Sequence, residues 1–88
     1  MPQYFPNIQT KVITNTTFTT PQGLSELFMK NTGASNATFT GNVTGSDPVT
    51  LAKGESFSLG YLGTVRAPIT INATGTIVEI SMTLNVEL

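Results

Sequence analysis

The last eleven residues of the chain alternate strictly between apolar and polar side chains. Apolar residues occupy every even position from Val78 to Leu88, and polar residues occupy the odd positions between them. A period of two over this length predicts a β-strand with one buried face. Such a strand would span roughly 35 Å, about twice the common strand length. We therefore expect another chain to cover part of its apolar face or its hydrogen-bonding edge, with Leu84, Val86 or Leu88 buried between chains.

Shorter segments of the same kind precede this strand. Residues 24–30 favour a strand over a helical turn, because Phe28 is β-prone and Asn31-Thr-Gly33 is a turn signal. Apolar and polar residues also alternate in the segments 37–44, 57–61 and 69–73, and residues 49–51 form a further short apolar run. These segments lie at the spacing that is typical of antiparallel sheets.

Two turns connect the later strands. Ala52-Lys-Gly54 predicts a tight turn in which Gly54 takes a positive φ. Asn72-Ala-Thr-Gly75 predicts a second turn, after which the carboxy-terminal strand returns antiparallel to residues 69–73.

Residues 1–23 differ in composition from the rest of the chain. Three prolines bracket a Thr-rich run in which Val12, Ile13 and Phe18 are the core candidates. This composition predicts an extended arm with one short strand. Two alternatives stay open: the arm packs along its own domain as an edge strand, or it reaches over a neighbouring subunit. In the second case its anchors are Tyr4, Phe5 and Ile8.

The predicted fold is all-β. We expect a small antiparallel β-sandwich or flattened barrel of about six to seven strands, because short strands alternate with turns and no helix is predicted with comparable support. Residues 24–88 form this domain, and residues 1–23 form the arm.

Composition argues against an enzyme. The chain has no Cys and no His, and its five carboxylates are dispersed. Glu79 and Glu87 lie on one strand but roughly 27 Å apart, beyond the separation of a glycosidase pair. We therefore predict no catalytic residue, no metal and no cofactor.

Charge also limits the classes of partner. Four basic residues are scattered against five acidic ones, so nucleic-acid binding is not expected. No apolar run is long enough to span a membrane, and residues 1–6 do not resemble a signal peptide. The absence of Cys favours synthesis in a reducing cytoplasm.

Only 10% of residues are charged, against about 25% in typical domains, which suits packing against neighbours. A small core without disulfides predicts a homo-oligomer, with a trimer preferred.

Two residues of the 60–68 loop are candidates for a partner interface. Tyr61 ends an alternating segment, so packing in the core or at an interface is favoured over stacking on a ligand. Arg66 is the single arginine of the chain. It either bridges to a carboxylate of a partner or is a solvated loop residue.

Three Thr- and Gly-rich segments give the chain a familiar texture: Asn31-Thr-Gly-Ala-Ser-Asn-Ala-Thr-Phe-Thr-Gly41, Val49-Thr-Leu-Ala-Lys-Gly-Glu-Ser-Phe-Ser-Leu-Gly60 and Ile69-Thr-Ile-Asn-Ala-Thr-Gly-Thr-Ile-Val-Glu-Ile80. In texture, residues 24–88 resemble short β-sandwich virion proteins of tailed bacteriophages, including the head decoration, or cement, proteins. The resemblance assigns no individual binding residue. It implies a protein made in the host cytoplasm and then attached to the virion, with the major capsid protein or another virion protein as partner.

Together these features predict a non-enzymatic virion structural protein that cements neighbouring capsid subunits. Two alternatives remain. The first is a tail, adaptor or fibre-base component of the same virion. The second is a carbohydrate-binding or adhesin module, against which the absence of Trp argues.

Overall fold

The fold is an antiparallel β-sandwich, which confirms the predicted class. The computed structural model describes residues 4–41, 47–60 and 68–87, with the backbone alone for residues 4–6, 86 and 87. The described residues form eight strands: β1 Tyr4–Thr14, β2 Thr17–Thr19, β3 Leu24–Asn31, β4 Ala37–Gly41, β5 Val49–Leu51, β6 Ser56–Leu59, β7 Ile69–Asn72 and β8 Ile77–Glu87. The count exceeds the expected six to seven because residues 4–19 contribute two strands instead of one.

The strands are divided equally between two sheets. The first, which we call the long sheet, has the order β1-β8-β3-β6. The second, the short sheet, has the order β2-β7-β4-β5. Every pairing is antiparallel. The chain therefore changes sheets repeatedly, and its first and last described strands lie side by side.

The core fills the space between the two sheets. Alternate residues of each long strand point into it, as the period of two predicts. The buried apolar residues of the described chain are Ile13, Leu24, Leu27, Met29, Ala37, Phe39, Leu51, Ile69, Ile71, Ala73, Val78, Ile80, Met82 and Leu84. Phe39 and Phe57 pack with their ring centroids 4.6 Å apart, which joins β4 of the short sheet to β6 of the long sheet.

The pairing predicted for the carboxy-terminal strand is wrong. β8 lies in the long sheet between β1 and β3, whereas β7 belongs to the short sheet. The segment between β7 and β8 therefore crosses from one sheet to the other instead of closing a hairpin. Asn15, which has a φ of 50°, accepts a hydrogen bond from the Gly75 amide at 2.9 Å and ties this crossing to the end of β1.

Within the chain, β1 covers one hydrogen-bonding edge of β8 along its length, and β3 covers the other as far as Leu84. β1 pairs with it from Tyr4↔Glu87 to Thr14↔Ile77, and β3 pairs with it from Leu24↔Leu84 to Asn31↔Val78. The long strand thus receives its partners within the chain.

The amino-terminal segment forms the edge of the long sheet. This arrangement is the edge-strand alternative of the two considered for residues 1–23. Ile13 is buried and Phe18 packs against the core, in agreement with the sequence. Val12 is 59% exposed, so its assignment to the core is wrong. Because neighbouring residues of a strand point to opposite faces, Val12 and Ile13 could not both face the core.

The tight turn after β5 is as predicted. Gly54 has a φ of 80°, and the Glu55 amide donates a hydrogen bond to the Ala52 carbonyl at 2.9 Å. No described residue belongs to a helix that is long and apolar enough to cross a membrane.

Candidate partner-binding surface

The outer face of the long sheet carries the most apolar surface that the described chain leaves in solvent. Ile8 is 72% exposed, Val12 59% and Phe28 46%. Ile8 and Val12 lie on β1 and Phe28 lies on β3, on either side of β8. All three share one face because their register partners on β8 are Thr83, Glu79 and Ser81. The sandwich therefore has one apolar face that its own core does not use.

A groove runs across this face. Its volume is about 470 Å³, and its lining comes from β1, β8 and β3: Thr10, Lys11, Val12, Phe28, Lys30, Glu79, Ile80 and Ser81. Lys30 and Glu79 are direct cross-strand partners, so the charges in the groove are of opposite sign. The groove combines an apolar wall with hydroxyl groups and charges of both signs, a composition typical of a protein-binding surface.

The free edge of the same sheet lies next to the groove. The Asn15 amide donates to the Thr76 carbonyl at 3.0 Å. In an antiparallel ladder the N–H groups alternate sides, so the odd residues of β1 face β8 and the even ones face away. The ladder between β3 and β8 agrees with this parity. The Thr32 N–H donates to the Ile77 carbonyl at 2.9 Å, so the main-chain groups of the odd residues of β8 face β3. Those of the even residues, which pair with the odd residues of β1, face β1. The outward main-chain donors of β1 therefore belong to Ile8, Thr10, Val12 and Thr14.

This free edge has little of the protection usual for edge strands. Among the described strands, only β8 pairs with β1. Pro6 falls on the outward parity, where it removes one donor. Lys11 is the single charge of β1, and its ammonium lies 5.0 Å from the centre of the Phe18 ring. The lysine thus reaches toward the short sheet. The outward positions from 8 to 14 are all β-branched and uncharged, and exposed edges of this kind invite pairing with another strand.

The residues predicted for an interface are distributed unevenly. Ile8 is on the exposed apolar face. Tyr4 pairs with Glu87 and Phe5 pairs with Val86, in a two-stranded extension beyond the start of β3. The amino- and carboxy-terminal candidates therefore meet at one end of the sandwich.

Four other candidates remain. Leu84 is 5% exposed and belongs to the core of its own chain, so the folded chain does not offer this side chain to a partner. Tyr61, Arg66 and Leu88 lie outside the described residues.

Thr10, Val12 and Phe28 were not singled out for an interface in the sequence. The signal was present in β1, where the even positions from 8 to 14 read Ile, Thr, Val and Thr. Such a run resembles a half-buried strand, and only the pairing of β1 with β8 shows that this side faces solvent.

The interior has a polar cluster at the end of the sandwich that holds the crossing between β7 and β8. The Asn31 amide nitrogen donates to the carbonyls of Ser35 at 2.7 Å and Leu51 at 2.9 Å. Its side-chain oxygen accepts from the Gly33 amide at 3.1 Å and the Thr76 hydroxyl at 2.8 Å. Asn31 is fully buried and all its polar groups are used, so this cluster holds loops together and has no group left for a ligand.

The described residues contain no cluster of three or more acidic side chains that could hold a metal ion. Comparisons of the chain with protein-family models, with curated proteins and with solved structures gave no match. The physical features of the surface are therefore the basis for a function.

Proposed function

We propose that this chain is a non-enzymatic virion structural protein that binds neighbouring capsid subunits and stabilises the shell. The observation that carries the proposal is the outer face of the long sheet, where Ile8, Val12 and Phe28 are exposed and the last two line a groove. The texture of residues 24–88, which resembles phage decoration proteins, supports the choice of a virion as the assembly.

The physical chemistry of the face suits attachment to a protein surface. Burial of its apolar side chains lowers the free energy by about 25 cal/mol for each Å² of apolar surface removed from water. Its polar positions are mostly Thr and Ser, which can form hydrogen bonds without the desolvation cost of a charge. A partner that covers the groove would also find a Lys and a Glu to orient it, because charge complementarity fixes register.

Stabilisation of a shell by such a protein is an effect of mass action. A protein that binds only the assembled lattice lowers the free energy of that lattice by its own binding free energy. Repetition over many sites multiplies the effect, so individual contacts of modest strength are sufficient.

Electron microscopy of the particle tests the location. The proposal predicts density for the sandwich on the outside of the head, with the long sheet facing the capsid. Density at the tail or fibre base, or absence of the chain from purified particles, would contradict it.

A binding experiment tests the surface. Phe28→Glu places a charge in the groove, whereas Val49→Glu places the same charge on β5 of the short sheet, at a residue of similar exposure, 51% against 46%. Purified variants are mixed with particles that lack the protein, and the particles are pelleted. We expect Phe28→Glu to bind at least tenfold more weakly than Val49→Glu. Equal binding of the two folded variants would move the interface away from this face.

A further inference from the structure

We propose that the free edge of β1 pairs with the same edge of a second copy, so that two long sheets join into one continuous sheet of eight strands. The two-fold axis passes through Thr10. This inference deepens the proposed function by assigning the surface used for self-association. The purified protein alone tests it, so its outcome is independent of particle binding.

The main chain defines the possible registers. Outward donors and acceptors lie at the even residues of β1, so these residues form the hydrogen-bonded pairs of the new ladder. With the axis at Thr10, Ile8 pairs with Val12 of the second copy, Thr10 pairs with itself, and Val12 pairs with Ile8. The three pairs supply about six hydrogen bonds between main chains.

The side chains favour the same register. Ile8 and Val12 are the two most exposed large apolar residues of the described chain, and this register places each opposite the other across the boundary. Thr10 meets its own copy, and pairs of threonine are favourable across a strand boundary. Both apolar residues lose solvent contact on the same face of the sheet.

Neighbouring registers are less favourable for identifiable reasons. An axis at Lys11 places this lysine opposite its own copy, and like charges directly opposite are destabilising. An axis at Gln9 places Ile8 opposite Thr10 and Val12 opposite Pro6, so the apolar pair of Ile8 and Val12 is lost. An axis at Val12 shifts Ile8 beyond the end of the partner's β1, because the strand ends at Thr14. The axis at Thr10 instead places Lys11 opposite an uncharged glutamine.

Edge pairing of this kind closes at two copies because the same surface is used by both. It would also unite the two outer faces into one, so that a pair could contact two capsid subunits at once. A small interface of this type is expected to be weak in dilute solution. It would strengthen on a lattice, where neighbouring copies are held close together.

Disulfide trapping tests the register in a chain that has no Cys of its own. Thr10→Cys places two thiols in a hydrogen-bonded pair, whose Cα atoms are about 5.5 Å apart, within the range for a disulfide. Thr14→Cys is the matched control, since it lies on the same strand and face but roughly 27 Å from its own copy. Mild oxidation should cross-link most of the Thr10→Cys protein and little of the Thr14→Cys protein.

Sedimentation of the unmodified protein provides the second measurement. At about 100 µM we expect a species of twice the 9.3 kDa chain mass. Thr10→Pro removes an outward N–H and leaves the ladder with β8 complete, so it should weaken association at least tenfold while the circular dichroism spectrum is retained. Thr14→Pro removes an outward N–H at the end of the ladder, opposite Pro6, and should weaken association less than Thr10→Pro.

Three results would overturn the proposal. They are a strictly monomeric or trimeric protein at this concentration, cross-linking of Thr14→Cys as readily as of Thr10→Cys, or absence of cross-linking in both variants. If Thr10→Pro fails to fold, the two cysteine variants still decide the outcome.

Discussion

The cluster around Asn31 and the outer edge of β1 differ in whether their polar groups have hydrogen-bond partners within the chain. Around Asn31, both the side chain and the main chain have partners within the chain. The main-chain N–H of Asn31 donates to the Glu55 carbonyl at 2.9 Å, and its main-chain carbonyl accepts from the Gly54 N–H at 2.8 Å. Along β1, every second amide points outward from the sheet. The first region closes the fold, and the second is an edge that no described strand other than β8 pairs with.

The contrast indicates that different residues determine the stability of the fold and its association. A substitution at the Asn31 cluster should change the free energy of unfolding, whereas one at the β1 edge should change assembly. The other edge strands support this division. β2 and β5, the edges of the short sheet, have three residues each, and β6, the other edge of the long sheet, has four. Short edges offer little to a partner. β1 has eleven residues.

The largest effect is expected from Asn31→Ala. The substitution removes four side-chain hydrogen bonds and leaves the buried Thr76 hydroxyl and Leu51 carbonyl without these partners. Unsatisfied buried groups cost about 1–3 kcal/mol each, so we expect the free energy of unfolding to fall by about 3–5 kcal/mol. Urea denaturation measures the change.

Asn72→Ala is the matched control for this experiment. Asn72 is exposed and its oxygen accepts only local hydrogen bonds from Thr74. Its loss should cost about 1 kcal/mol or less. Equal losses for the two variants would show that the buried cluster is unimportant for stability.

Gly33→Ala should have the next largest effect. A Cβ at this position would collide with the Thr76 hydroxyl and the Ile77 amide nitrogen. Overpacking against main chain costs about 1–3 kcal/mol. Gly41→Ala meets no atom within 4 Å and should change stability by less than about 1 kcal/mol. Thermal unfolding of both variants would distinguish them, and a Gly33→Ala protein as stable as Gly41→Ala would argue against close packing at the cluster.

Ile8→Lys tests the open edge. The side chain is 72% exposed, so stability should change by less than about 0.5 kcal/mol. Self-association should fall at least tenfold, because the apolar pair with Val12 of the second copy is lost and a charge on an edge strand opposes pairing. Sedimentation at several concentrations measures the effect. Val49→Lys on the short sheet serves as the control and should associate as the unmodified chain does.

Salt should have the smallest effect. The proposed pairing uses main-chain hydrogen bonds and apolar contacts, and exposed ion pairs contribute only about 0–1 kcal/mol. We expect the dissociation constant of the pair to change less than about tenfold between low salt and half-molar salt. A much steeper dependence would indicate an electrostatic interface at another surface.

The sequence predicted the positions of the strands better than the pairing between them. Alternation located β4, β7 and β8, because burial of one face is a local property that the chain records every second residue. It did not show that β8 lies between β1 and β3. The Asn72–Gly75 segment has the composition of a hairpin turn. In the structure it instead leads from one sheet to the other, and its Gly75 amide is held by the Asn15 side chain.

The candidate surface was predictable only in part. Ile8 was identified from the arm, but Phe28 reads as a core residue in any local pattern. Its exposure follows from the parity of β3, where Leu27 and Met29 take the inward positions. Asn31 likewise reads as a turn residue, and its burial depends on loops that are distant in sequence.

The central position of β8 has a consequence for synthesis on the ribosome. β8 is the last of the described strands to be made, yet both β1 and β3 pair with it. At about 5–20 residues per second, β1 therefore waits roughly 4–15 s for its partner. During this interval its β-branched residues have no partner strand in the sheet where they belong. Production on crowded polysomes should thus favour pairing between unfinished copies, and slower translation, which lengthens the wait, should increase it.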